Sequence, residues 1–216
     1  MTTKEKILET ARLLFNENGV ETVTVRSLAQ EVGISHGNLC YHFANTDVII
    51  ERLYLQLAET ISTGINQLVP GESLSLELLR RLGTGTFALL YEYRFLMRDF
   101  AGIMRRLPAI REQHQALMQR RRDTFRLILH QLRKQDILRS ELYPGQDSHL
   151  IEQMLIVGDF WLSSADVLYE GPDEAKINHY VSVFEALLLP MLTEKGLQQW
   201  FAIPHSNPDR ETVRGV

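Results

Sequence analysis

Apolar residues recur along this chain with the helical period almost throughout. Ile7, Leu8, Ala11, Leu14 and Phe15 fall at i, i+1, i+4, i+7 and i+8, one stripe of an amphipathic helix. Asn18-Gly19 predicts its end, since glycine is favoured just past a helix C-terminus. Thr24 precedes Val25-Arg26-Ser27-Leu28-Ala29 and predicts the N-cap of a short second helix, which Gly33 closes. Ser35 predicts the cap of a third short segment over 36–43. Three short helices in so little chain make a compact trihelical unit.

Beyond Asn45-Thr46-Asp47 the elements lengthen. Thr46 is the expected N-cap of a helix over 46–68, carrying Val48, Ile49, Leu53, Leu57 and Ile61, and Pro70-Gly71 is its expected breaker. A helix over 74–93 follows, expected to be loosened by Gly83-Thr84-Gly85, and then one over 95–106. Pro108 opens a charged helix to about residue 135, and Pro144-Gly145 is a turn. Residues 147–169 and 173–194 read as two strongly apolar helices separated by Gly171-Pro172. Residues 203–216, with two prolines and few apolar anchors, are expected to be a disordered tail. No repeat and no convincing strand interrupts this pattern. The expected fold class is all-α, with a three-helix domain over 1–46 and a larger helical domain over 47–202.

Composition narrows the chemistry. The 216 residues are 44% hydrophobic and 23% charged, ordinary values for a globular chain long enough to bury a sizeable core. One cysteine excludes an internal disulfide and a multi-cysteine zinc site. Apolar runs such as 186–189 are far too short to span a bilayer, and MTTKEKILET carries no hydrophobic signal segment. The expectation is a cytoplasmic protein without membrane partners. The formal charge of −4 argues against nucleic acid only until it is resolved along the chain. Residues 1–50 carry a net −2, 51–104 a net −1, 105–139 a net +7 and 140–216 a net −8. The basic block, with Arg120, Arg121 and Arg122, reads as the solvated face of a long helix. No catalytic constellation, phosphate-cradling glycine loop or cofactor motif emerges. His149 and Glu152, three apart at a helix start, offer only two metal-type ligands, so neither a metal nor a cofactor is expected.

Helix, glycine turn, short helix, glycine turn and short helix is the layout of a helix-turn-helix DNA reader. The residues Ile7-Leu8, Ala11, Leu14-Phe15, Gly19, Val23-Thr24-Val25, Leu28-Ala29, Val32-Gly33-Ile34-Ser35, Gly37, Leu39 and Tyr41-His42-Phe43 keep a dispersed pattern with its spacings intact. In these residues the chain resembles the TetR-like bacterial transcriptional regulators. The resemblance implies an N-terminal DNA reader whose third helix enters the major groove. Leu28, Leu39 and Phe43 would be its miniature core. Thr24, Tyr41 and His42 would grip phosphates, with hydrogen-bonded packing as the competing role for His42. Arg26, His36 and Asn38 would reach bases, arginine favouring guanine and asparagine adenine. Ser35 and Thr46 complete the expected DNA-contacting set. Thr46 stands where typical members carry a lysine, and Cys40 where they carry a tyrosine. The missing lysine removes one phosphate contact, and the reader is slightly acidic. A redox role for Cys40 competes with that of a small, inert residue at a packing edge.

The resemblance also implies a later helical body that binds a small effector and forms a homodimer, the protein acting as a repressor released from a palindromic operator. Candidate effector contacts are Phe87, Tyr91, Phe95, Arg98, Phe100, Met104, Phe125 and Phe160, with Asp99, His130, Gln153 and Asp159 as further polar groups. Met154, Leu155, Gly158, Trp161 and Leu162 on one helix, with Tyr180, Phe184 and Leu188 on the next, are the expected dimer interface; intrachain core is the alternative for part of that set. The helix over 46–68 would carry an effector's influence to the reader. The other function these features admit is a helical small-molecule or lipid-binding protein of the same fold that has lost DNA binding.

Overall fold

The computed structural model describes residues 1–66 and 74–203. Among these residues the chain is helical, with one isolated antiparallel bridge, Leu138 to Leu192, in place of any strand. The expected Pro70-Gly71 breaker and nearly all of the expected tail lie outside the described residues. Among the described residues two compact units form, 1–63 with 92–116, and 64–66 and 74–91 with 117–203.

The first unit begins with three helices, α1 (Thr3–Asn18), α2 (Val25–Val32) and α3 (His36–His42). Thr2 caps α1 in a reciprocal box with Glu5, a start that the apolar pattern alone does not mark. Thr24 and Ser27 form the same box on α2. Gly33 ends α2 at φ 79°, ψ 34°, the left-handed conformation that glycine adopts without steric cost. Its N–H bonds the Ala29 and Gln30 carbonyls, and the Ile34 N–H also reaches Ala29, so two carbonyls of the helix end are satisfied. Ser35 Oγ then accepts from the Asn38 N–H at 3.1 Å and starts α3. The apolar faces meet in a small core of Ile7, Leu8, Ala11, Phe15, Leu28, Val32, Leu39 and Phe43, all buried. Removing such side chains from water contributes roughly 1.5–3 kcal/mol for each larger one.

Helix α4 (Thr46–Asn66) adds Ile49, Ile50, Leu53, Tyr54 and Leu57 to the buried set. Its cap is not Thr46. Asn45 Oδ1 accepts from the Val48 N–H at 3.0 Å, so asparagine occupies the cap and Thr46 is the first helical residue. Helix α5 (Leu76–Glu92) runs unbroken through Gly83 and Gly85, because tertiary burial of Leu76, Leu78, Phe87 and Leu90 outweighs the low helix propensity of glycine. The helix expected over 95–106 is two, α6 (Arg94–Arg98) and α7 (Phe100–Arg106), separated at Asp99. Helix α8 (Pro108–Lys134) starts on its proline as expected.

Residues 92–116 belong with the three-helix reader, so the first unit extends past a cut at residue 46. The reason is a buried polar joint. Asn16, 6% exposed, donates from Nδ2 to the Glu92 carbonyl at 2.8 Å and accepts at Oδ1 from the Phe95 N–H at 3.1 Å. Arg12 donates to the same Glu92 carbonyl at 2.9 Å, and Phe15 packs on Phe95 with ring centroids 5.1 Å apart. Arg106 pairs with Glu21 at 2.6 Å and with Asp47 at 3.3 Å.

In the second unit α9 (Gln146–Leu168) and α10 (Asp173–Ala186) form as expected, but the apolar run to 194 does not stay one helix. Pro190 cannot donate to a helical ladder; a 3₁₀ turn spans Leu189–Met191, and Thr193 caps a new helix, α11 (Glu194–Ala202).

An Asn16→Ala substitution leaves the Phe95 N–H buried without its acceptor, whereas the Glu92 carbonyl keeps Arg12. The expected loss is about 1–3 kcal/mol, read as a lower urea midpoint at an unchanged denaturation slope.

Candidate nucleic-acid interface and effector body

The reader presents its polar residues on the side that its core leaves free. On α3, Leu39 is fully buried while His36, Gly37, Asn38 and Tyr41 are exposed, Tyr41 by 85%. Thr24, Arg26 and Ser35 are exposed too, and His42 and Thr46 are half-buried. The eight expected DNA contacts therefore lie on the helices and caps of one small unit. Thr24 and Ser35 have a second task, because each hydroxyl accepts from the N–H three residues on and fixes its helix start. The His42 ring meets Tyr41 edge-on at 5.3 Å, which holds the two rings together at the end of α3. Cys40 is half-buried with Sγ 3.6 Å from His36 Nε2, one turn back.

Two nearby lysines are already engaged. Lys6 Nζ donates to the Val32 carbonyl at 2.9 Å, and Lys4 Nζ lies 5.5 Å from the Phe43 ring centroid. They brace the helix-turn-helix; among the eight expected contacts Arg26 is the sole permanently charged cation.

The eight candidate effector contacts do not gather in one unit. Phe95, Arg98, Phe100 and Met104 fall in the first and Phe87, Tyr91, Phe125 and Phe160 in the second. Phe95 is core against Phe15, Arg98 donates to the Asn16 carbonyl at 3.4 Å, and Phe100 stands edge-on to His114 at 4.8 Å. Tyr54 in turn hydrogen-bonds His114 at 3.1 Å. In the second unit Phe87 and Tyr91 approach Trp161, at 5.2 and 6.4 Å between centroids, while Phe160 is largely exposed. Of the further polar candidates, His130 and Gln153 are exposed, and Asp159 is buried in a pair with Arg121 at 2.6 Å. Glu152 pairs with Arg122 at 3.0 Å and His149 lies 3.4 Å from the Tyr143 hydroxyl.

The expected dimer residues face inward. Met154, Leu155, Gly158, Trp161, Leu162, Tyr180 and Leu188 are buried within the single chain, and Phe184 meets Phe87 at 5.5 Å. The apolar surface that α9 turns outward consists instead of Ile156, Phe160 and Val167, at helical spacing, with Leu168 beside them and Val183 on α10. Both faces of α9 are apolar, so periodicity could not say which one the chain itself covers.

Sequence reasoning also missed Arg80 and Glu185. Glu185 lies on the stripe Ile177, Val181, Glu185 of α10, and a carboxylate at a core position of an apolar stripe was the available signal. It is 8% exposed, with Oε2 3.7 Å from Arg80 Nε.

Comparison with known proteins bears on both units. Residues 7–53 match the profile described as bacterial regulatory proteins, tetR family, and residues 58–200 match that described as bacterial transcriptional repressor, TetR. The HTH-type transcriptional regulator UidR of Escherichia coli K12 is 33% identical over 54 residues, so the match spans 25% of this chain and only 28% of UidR. The nucleoid occlusion factor SlmA of Vibrio campbellii is 27% identical over 155 residues, 70% of this chain and 78% of SlmA. The crystal structure of a TetR-family regulator from Marinobacter aquaeolei VT8 superposes with a TM-score of 0.82 over 94% of this chain and 97% of that one, at 23% identity.

Burial raises the Glu185 carboxyl from its ordinary 4.5 to about 7, with Arg80 opposing the shift. Between those values the folded chain holds a proton that the unfolded chain has released, so stability falls as pH rises through this window and levels off above it. Glu185→Gln should flatten that fall and raise the melting temperature at pH 8 relative to pH 5, measured by thermal denaturation across the range.

Proposed function

The chain belongs to the TetR family of bacterial transcriptional regulators, and from that premise we propose that it is a ligand-responsive repressor, released from a palindromic operator when a small effector occupies its helical body. The observation that carries the proposal is the set of exposed polar side chains on α3, His36, Asn38 and Tyr41, on a helix anchored by fully buried Leu39. A seven-residue helix this short is held by its caps and core, not by its own propensity, which suits a rigid probe for a major groove. In this reading Asn38 pairs with adenine, Arg26 with guanine, and Tyr41 and His42 contact the phosphate backbone. Thr46, in place of a lysine, contributes no charge to the phosphate contacts.

A twofold operator requires a twofold protein. The outward apolar face of α9 and α10, with Ile156, Phe160, Val167 and Val183, is the surface we assign to the partner copy, two helices from each protomer making a four-helix interface. Effector binding then favours a conformer in which the two readers no longer match successive grooves. A tenfold loss of operator affinity needs only about 1.4 kcal/mol of differential effector binding.

Selection of bound fragments from the source genome supplies the operator, and mobility shifts then test the assignment. Asn38→Ala and Tyr41→Ala should each weaken binding about 5- to 150-fold, Asn38→Ala also relaxing base preference at one position. Thr46→Lys should tighten binding and steepen its salt dependence by about one unit of slope. Failure to retain any genomic fragment contradicts the reading and favours a ligand carrier of the same fold. Phe160→Asp should convert a dimer to a monomer by light scattering and abolish high-affinity operator binding while the chain stays helical.

A further inference from the structure

Helix α5 carries Arg80, Gly83 and Phe87 along one stripe, three and seven residues apart. Phe87 joins this stripe to the neighbouring helices, stacking on Trp161 of α9 at 5.2 Å and meeting Phe184 of α10 edge-on at 5.5 Å. Glu185 follows Phe184 directly and faces Arg80 at 3.7 Å, a distance at which charges attract but no hydrogen bond forms. Arg80 Nη1, both Glu185 carboxyl oxygens and Trp161 Nε1 are buried without a hydrogen-bond partner. Such groups are rare in folded proteins, because each one unsatisfied costs about 1–3 kcal/mol. Trp161 is 2% exposed and Glu185 8%, so bulk water does not relieve them. A Cβ built on Gly83 meets no atom within 4 Å, so the stripe between Arg80 and Phe87 borders open space.

We propose that this face of α5, α9 and α10 binds an organic carboxylate, its flat apolar body against Phe87, Trp161 and Phe184 and its carboxylate beside the Arg80–Glu185 pair, within reach of both. The inference deepens the effector reading and depends on it only for the consequence at DNA. The charges select the ligand. Arg80 is permanently cationic, and a carboxyl at Glu185 that titrates near neutrality leaves the pair with net positive charge part of the time. Two further cations of this unit are matched, Arg121 with Asp159 at 2.6 Å and Lys176 with Asp173 at 3.7 Å. Tyr180 spends its hydroxyl on Ser164 at 2.9 Å. An incoming carboxylate accepts from Arg80, and the Glu185 carboxylate takes one proton from solvent and donates it as an O–H to the ligand. Trp161 Nε1 remains for a second acceptor on the ligand. Two adjacent carboxyl groups then share one negative charge beside one guanidinium.

Calorimetric titration with naphthalene-2-carboxylate, its carboxamide and naphthalen-2-ylmethylammonium tests the assignment on one common ring. At pH 7 the carboxylate should bind at least about tenfold tighter than the other two. Its affinity should fall by about tenfold per unit above pH 7, with uptake approaching one proton per site, read from the buffer dependence of the enthalpy. Glu185→Gln should keep the carboxylate preference and lose the pH slope and proton uptake; Arg80→Gln should lose the preference. Tightest binding of the ammonium, equal binding of all three, or no binding of the carboxylate at millimolar concentration overturns the proposal. Proton-coupled carboxylate binding that leaves an operator complex intact retains this site and overturns the effector reading. Operator release by another compound, with no carboxylate binding, does the reverse.

Discussion

The first unit depends on one buried carboxamide. Asn16 supplies a donor to the Glu92 carbonyl and an acceptor to the Phe95 N–H, and both backbone groups sit where α5 has ended and α6 has barely begun. Helix ends leave unpaired groups that solvent normally satisfies, and here the Phe95 N–H is buried away from it. Only a side chain with both a donor and an acceptor at the right separation can serve the two at once. That requirement holds α1 to the 92–116 segment and makes the reader part of a larger body than three helices alone.

A second consequence follows from chain continuity. Glu92 is the last residue of α5, and the residues before it belong to the second unit, where Phe87 and Arg80 lie. The helix that carries Arg80 and Phe87 is thus the one whose last carbonyl Asn16 holds.

Charge acquires meaning only by location. The acidic C-terminal third hides a basic middle in the average, yet much of that basic block is spent in pairs within the protein: Arg106 on Glu21 and Asp47, Arg121 on Asp159, Arg122 on Glu152, Arg133 on Asp147. The reader is left slightly acidic, and recognition falls to the placement of few groups. Arg80 and Glu185 invert this economy, being close enough to attract and too far apart to bond.

The sequence by itself determined the helical class, the three-helix reader and its caps. Those depend on contacts within three to eight residues, and period, glycine and hydroxyl positions record them directly. Thr24, Gly33 and Ser35 were legible because each satisfies a neighbour in the chain. Tertiary structure decided the rest. The cap of α4 passed from Thr46 to Asn45, the run beyond residue 186 broke at Pro190, and Gly83 and Gly85 stayed helical under packing that propensity does not contain. It also decided which of two apolar faces of α9 the chain covers, and that a glutamate on an apolar stripe meets an arginine about a hundred residues away. Such choices depend on which surfaces meet after folding, and a one-dimensional pattern records the period of a surface without recording its partner.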